Sequence, residues 1–247
     1  MEKKTKERSK RAYSPSELMR MKRPVMDFEG KWEQAFGRPA TTGLWIIWGN
    51  SGNGKSSFTM QLAKYLCRFG KVFYNSIEED KDNTFIKMLE RNEMWEVDKK
   101  FFTCKLTLEE LEARMNAPRS EQIYIIDSFQ AGGFTTKGPN GYQGLVDRHP
   151  NKLIIFVSRA DGNKPLGRSA VNLMYDAAVK IWVESFKAYC KGRFSPKPGV
   201  FYTIWEEGAA RCSGGNNKIN DDGNNEFTDT EMDDQEDACD VPSAWAE

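Results

Sequence analysis

Apolar residues gather in short unbroken runs: LWIIW at 44–48, VFYNSI at 72–77, QIYII at 122–126 and LIIFV at 153–157. Runs this short, rich in β-branched and aromatic residues, predict strands buried on both faces, the habit of parallel sheets. Between them the period changes. Phe58, Leu62 and Leu66 recur every four residues, with Ala63 and Cys67 beside them, and Gly70 stands where a helix C-terminal glycine belongs. Phe85, Ile86 and Leu89 predict a second helix within 81–92, and Thr107-Leu108-Glu109-Glu110 is a capping box opening a third. A strand over 179–183 and two strand-like pieces at 186–193 and 200–205, around a turn, close the pattern. Strands alternating with helices predict an α/β fold: a mainly parallel sheet flanked by helices, with a C-terminal antiparallel hairpin.

Charge changes the picture at the ends. The 247 residues carry 36 Lys+Arg and 36 Asp+Glu. Residues 1–23 hold nine basic residues against three Glu, whereas 221–247 hold eleven acidic residues and no Lys or Arg. Like-charge runs of low hydrophobicity cannot bury enough surface to offset ordering entropy. A basic disordered arm (1–24), a folded domain (25–212) and an acidic disordered tail (213–247) are therefore expected. No run approaches ~18 apolar residues, so no membrane span is expected. The basic first segment lacks the apolar stretch of a secretory signal. The five cysteines (Cys67, Cys104, Cys190, Cys212, Cys239) are scattered, with no CxxC pair. That pattern argues against a disulfide framework or zinc site and points to a reducing, cytoplasmic compartment. The single histidine, His149, excludes chemistry that needs a His pair and reads as a loop residue before Pro150.

The chemistry concentrates after the first strand. Gly49-Asn50-Ser51-Gly52-Asn53-Gly54-Lys55-Ser56, followed by Ser57, fits G-x-x-x-x-G-K-[ST] at every fixed position and lies between a strand and a helix. The glycines let backbone N–H groups curl round phosphates, and the helix N-terminus adds partial positive charge. Lys55 is placed to reach the β/γ-phosphates of ATP and Ser56 to ligate Mg²⁺. Asp127, ending an apolar strand before Ser128, fits a second magnesium-holding position. The run VFYNSI ends at Glu78-Glu79-Asp80 and LIIFV at Ser158-Arg159. Arg159, Lys164 and Arg168 read as a Gly/Pro-bearing loop that meets a phosphate or only water. Trp45, Trp48 and Trp182 read as core or sheet-face residues.

The order of these parts, over about residues 40–207, resembles the RecA-like P-loop ATPases, the group of the recombinases and DnaB-type helicases. The resemblance implies a catalytic glutamate after the second strand, Glu78 first and Glu79 second. It implies Asp127 as the Walker B residue. In AYCKGRFSPKPG it implies Lys191 and Arg193 as cations reaching a neighbouring subunit's nucleotide; an ordinary charged edge strand is the other reading of that pair. The run SRADGNKPLGRSAVNLMYDAA is similar to small phage-encoded ATP-binding proteins of this group. Two departures stand out. The family has Gln, Asn or His after the fourth core strand, where this chain has Ser158-Arg159. Replicative helicases follow Lys-x-Arg with Asn-Gly, where this chain has Phe194-Ser195.

The resulting expectation is an ATPase acting in DNA replication, recombination or repair in a phage or bacterial setting. It would form a homo-oligomeric ring or filament and have single-stranded DNA as a partner. The alternatives are a nucleotide-dependent switch or loader that recruits a protein through its acidic tail, and a small-molecule kinase.

Overall fold

A computed structural model describes residues 11–78, 82–192 and 199–213. Glu79, Arg193, Cys239 and the outer parts of both charged ends lie outside these residues. Inside the expected N-terminal arm, helix α1 (Pro15–Arg20) starts at a Ser14–Glu17 capping box and buries none of its residues. Helix α2 (Lys31–Phe36) follows and buries Ala35 and Phe36.

The four apolar runs form parallel strands β1 (Gly43–Gly49), β2 (Val72–Ser76), β4 (Ile123–Asp127) and β5 (Leu153–Asp161). Short β3 (Phe101–Cys104) was not expected. It pairs with β2 in parallel at the sheet edge, with two half-buried and two exposed residues. Strands β6 (Lys164–Pro165), β7 (Val179–Glu184), β8 (Lys187–Cys190) and β9 (Phe201–Thr203) complete a sheet ordered β3-β2-β4-β5-β1-β7-β8-β9, with β6 on β5. Strand β8 runs antiparallel to both of its neighbours, β7 and β9, as the late pair of strand-like pieces around a turn predicts.

The helices lie on both faces because alternate strand residues project to opposite sides. Trp45, Ile47, Tyr74, Ile125 and Ile155 share one core with residues of α2, α3 (Lys55–Leu66) and α4 (Asn83–Arg91), beside a short 3-10 turn, Met94–Val97. Ile46, Trp48, Phe73, Ile126 and Phe156 share the other with residues of α5 (Leu108–Asn116), α6 (Tyr142–Arg148) and α7 (Arg168–Asp176). Each fully buried Ile or Phe contributes about 1.5–3 kcal/mol relative to exposure. Helix α8 (Glu206–Ser213) ends the described chain. Among the described residues no helix is long and apolar enough to cross a membrane.

Two local expectations need correction. Helix α3 ends at Leu66, four residues before Gly70. Gly70 instead lies close to another strand's start: a Cβ there would meet the Gln122 side chain at 3.2 Å, and Lys71 N–H beside it donates to Gln122 Oε1 at 3.0 Å. The segment holding Arg159, Lys164 and Arg168 is not one loop, because these residues lie in β5, in β6 and at the start of α7. His149 lies in the loop before Pro150, as expected, directly after α6 as its C-cap; it is buried, its Nε2 without a hydrogen-bond partner.

Candidate nucleotide site

The site lies at the C-terminal ends of β1, β2, β4 and β5, where a parallel sheet collects polar termini. The loop after β1 leads into α3, whose N-terminal residue Gly54 is left-handed (φ +87°) and gives no side-chain cap. The first N–H groups of a 12-residue helix are thus left to an anion. Asn50, Ser51, Gly52, Lys55, Ser56 and Ser57 line a cavity of about 150 Å³ there, with Phe186 at its edge.

A contact the sequence did not signal holds this loop. The turn between β7 and β8 places both Ser185 (φ +48°) and Phe186 (φ +56°) in the left-handed region without a glycine. Such residues cost of order 1–3 kcal/mol each. They are held by the loop itself: Ser185 N–H donates to Asn53 Oδ1 at 2.7 Å and Phe186 N–H to the Asn53 carbonyl at 3.2 Å. The glycines fit this contact. A Cβ on Gly49 would lie 2.3 Å from the Val183 carbonyl, and one on Gly54 would lie 2.8 Å from the Phe186 ring.

Beside the loop, a cavity of about 30 Å³ is lined by Lys55, Ser56, Ser76, Glu78, Asp127, Ser128 and Arg159. Asp127 ends β4 before a cis peptide bond to Ser128. Tyr74, buried on β2, donates its hydroxyl to Asp127 Oδ2 at 2.5 Å. Burial drives the Asp127 carboxyl above the usual carboxylate range; the Tyr74 hydroxyl and the Lys55 charge oppose this, and the Glu78 charge adds to it.

Glu78 stands two residues past the β2–β4 pairing. Ser128 Oγ donates to Glu78 Oε1 at 2.5 Å, and Arg159 Nη2 donates to the same oxygen at 3.0 Å. Arg159 is the β5 partner of Gly49, so the two strands set it level with the first residue of the loop. Its backbone is fixed by Gln130, whose Oε1 accepts from Arg159 N–H at 3.2 Å and whose Nε2 donates to Ser158 Oγ and the Leu166 carbonyl. The Arg159 side chain is 60% exposed, so its pairing with Glu78 is worth only about 0–1 kcal/mol and exchanges readily.

Of the residues singled out in the sequence, the structure brings Lys55, Ser56, Glu78, Asp127 and Arg159 round one cavity and adds Ser76 and Ser128. Lys191 lies elsewhere, its ammonium 4.1 Å from the Trp182 ring centroid on the sheet edge. Among the described residues larger hollows of about 560, 520 and 440 Å³ are lined by residues around Trp95, around Leu106 and around Tyr65. None of these includes a residue of the glycine-rich loop, so chemistry rather than size selects the site.

No protein-family model and no curated protein matches the chain. Among solved structures it is similar to the flagellar accessory protein FlaH from Methanocaldococcus jannaschii, at 16% identity and a TM-score of 0.52 over 73% of this chain and 93% of that one. It is also similar to a second solved structure, an ATPase domain, at 14% identity and a TM-score of 0.42 over 64% of this chain and 79% of that one. The fold is that of the RecA-like P-loop ATPases.

Proposed function

We propose that the chain binds and hydrolyses ATP with Mg²⁺ and works on DNA in replication, recombination or repair. The observation that supports this reading best is the meeting of Lys55, Ser56, Glu78 and Asp127 round one small cavity against the glycine-rich loop. The donor set suits magnesium: a hydroxyl and one carboxylate are hard oxygen ligands, and Mg²⁺ takes its remaining partners from phosphate and water. A buried carboxylate held above its usual range, with a second carboxylate adding to the shift, is also an environment that a cation relieves. Bound between Ser56 and Asp127, Mg²⁺ would neutralise charge developing on the phosphates.

The chain's own groups supply the rest. Backbone N–H groups of residues 50–57 hold the phosphates, and Lys55 draws charge from the terminal one. Glu78 orients the attacking water and takes its proton. Ser128 and Arg159 fix the direction of the Glu78 carboxylate. The guanidinium, weakly held, can also turn to a phosphate oxygen, where a charge-assisted pair is stronger. A cation in the same chain thus stands beside the site, and Lys191 of a neighbouring copy is not required for it. Assembly into a ring or filament belongs to this proposal as the source of any second positive charge.

The test is ATP hydrolysis with and without single-stranded DNA, beside Lys55→Ala. The proposal expects Mg²⁺-dependent hydrolysis that DNA stimulates and that the substitution reduces by at least about 100-fold. Slow hydrolysis indifferent to DNA but lost in Lys55→Ala would replace the DNA-working reading with a nucleotide-dependent switch or loader. Phosphate transferred to a small acceptor would replace it with a kinase.

A further inference from the structure

The antiparallel edge of the sheet has two unlike faces. Val179, Ile181, Val183, Ala188 and Cys190 are buried on the first, where Tyr202 stacks on Trp32 of α2 at 4.2 Å. On the second, none of Lys180, Trp182, Glu184, Lys187, Tyr189, Phe201 and Thr203 is fully buried, although Trp182 packs partly against the core that α7 covers. Strand register sets three aromatic residues in one row across it: Trp182 is the partner of Tyr189, and Tyr189 of Phe201. Their ring centroids stand 5.6 and 5.4 Å apart, and Phe201 is 39% exposed.

Lysines interleave the rings. Lys191 lies over Trp182 at 4.1 Å and Lys187 over Phe201 at 5.1 Å. Lys191 N–H donates to the Lys180 carbonyl at 2.7 Å, which sets two lysines opposite each other on adjoining strands. Like charges in that relation are unfavourable unless an anion lies between them. Among the described residues of these strands on this face, Glu184 is the one carboxylate. Burial pushes its carboxyl up, and the Lys191 charge acts against that. Tyr175 of α7, 67% exposed, borders the row, and its carbonyl accepts from Lys180 Nζ at 3.2 Å.

We propose that this face binds single-stranded DNA, the bases stacking on Tyr189 and Phe201 at the open end of the row, which Trp182 backs, and the phosphates lying against Lys180, Lys187 and Lys191. Aromatic rings recognise the flat face of any base, and lysines track the backbone. A duplex hides its base faces and leaves only the phosphate contacts. The ligand class rests on the reading of the chain as one that works on DNA, but the site is separate from the nucleotide cavities, and no residue of this face lines either of them.

The test is fluorescence anisotropy of a labelled oligothymidylate with the full chain, Phe201→Ala and the double variant Lys180→Ala/Lys187→Ala. ATP binding and particle mass are measured on each sample. Phe201→Ala is expected to weaken binding about fivefold or more at fixed salt, with the salt slope kept. The lysine variant is expected to lower the salt slope by about one to one and a half. ATP binding and mass stay unchanged in both, and duplex of equal length binds more weakly. Wild-type affinity in both variants, or equal affinity for duplex, overturns the assignment while leaving the ATPase reading in place. A change in mass instead of DNA affinity also overturns it and makes the face a contact between copies. No DNA binding by the unaltered chain removes this inference and the DNA part of the proposed function together, while ATP hydrolysis would still stand on its own.

Discussion

The parallel centre of the sheet and its antiparallel edge are built from the same apolar residue types but present their chemistry in different places. In β1, β4 and the first six residues of β5 nearly every residue is buried, and less buried polar groups come only toward the C-terminal ends, at Asp127 and from Arg159 on. In β7 buried and half-buried residues alternate along the whole strand. A strand covered on both faces can carry function only at its end, whereas a strand covered on one face can carry it along its length. The nucleotide site and the aromatic–lysine face follow from that difference.

Stability should show it most strongly. Ile155→Ala, at a fully buried position in the centre, is expected to destabilise the chain by about 2–5 kcal/mol. Phe201→Ala at the edge should cost within about 1 kcal/mol. Denaturant unfolding of the two variants measures both, and equal losses would break the contrast.

A smaller effect is expected at Asp127. Its raised pKa means that the folded state holds the proton more tightly than the unfolded chain. The associated stabilisation is fully present below the unfolded carboxylate pKa, about 3.9, and is lost as pH rises through the folded value. At neutral pH the buried charge is therefore a cost. Asp127→Asn keeps the shape and can still accept from Tyr74, so it should raise the melting temperature by a few degrees in the absence of magnesium. It should also weaken the dependence of ATP binding on Mg²⁺, since Ser56 and the phosphates remain as ligands. Thermal melts across pH with a magnesium titration check both. A fall in melting temperature would mean that Lys55 and Tyr74 outweigh the burial.

Much of this architecture can be read in the chain because local signals and burial agree. The continuous runs at β1, β2, β4 and β5 can only be buried strands, and the Thr107–Glu110 capping box forms as its spacing predicts. Strand β3 escapes notice because a short, half-exposed edge strand has no unbroken apolar run. The segment after Ser158 reads as a loop because its Gly and Pro mask the hairpin that β5 and β6 make. In the site, the glycine-rich loop is legible because backbone geometry demands its residue types. Arg159 beside Glu78 is not legible, because 81 positions separate the two residues and only the strand order brings them together. The Ser185–Phe186 turn is hidden for a related reason: its strain is held by Asn53, far away in sequence.

The most direct measurement compares ATP binding and single-turnover hydrolysis in the unaltered chain and in Glu78→Gln, which keeps the size and the bond from Ser128. The account predicts ATP binding within a few-fold of the unaltered chain and hydrolysis slowed by at least about 100-fold. Hydrolysis retained in Glu78→Gln would contradict it, because the water would then be activated by a group other than the one that Ser128 and Arg159 hold at the cavity.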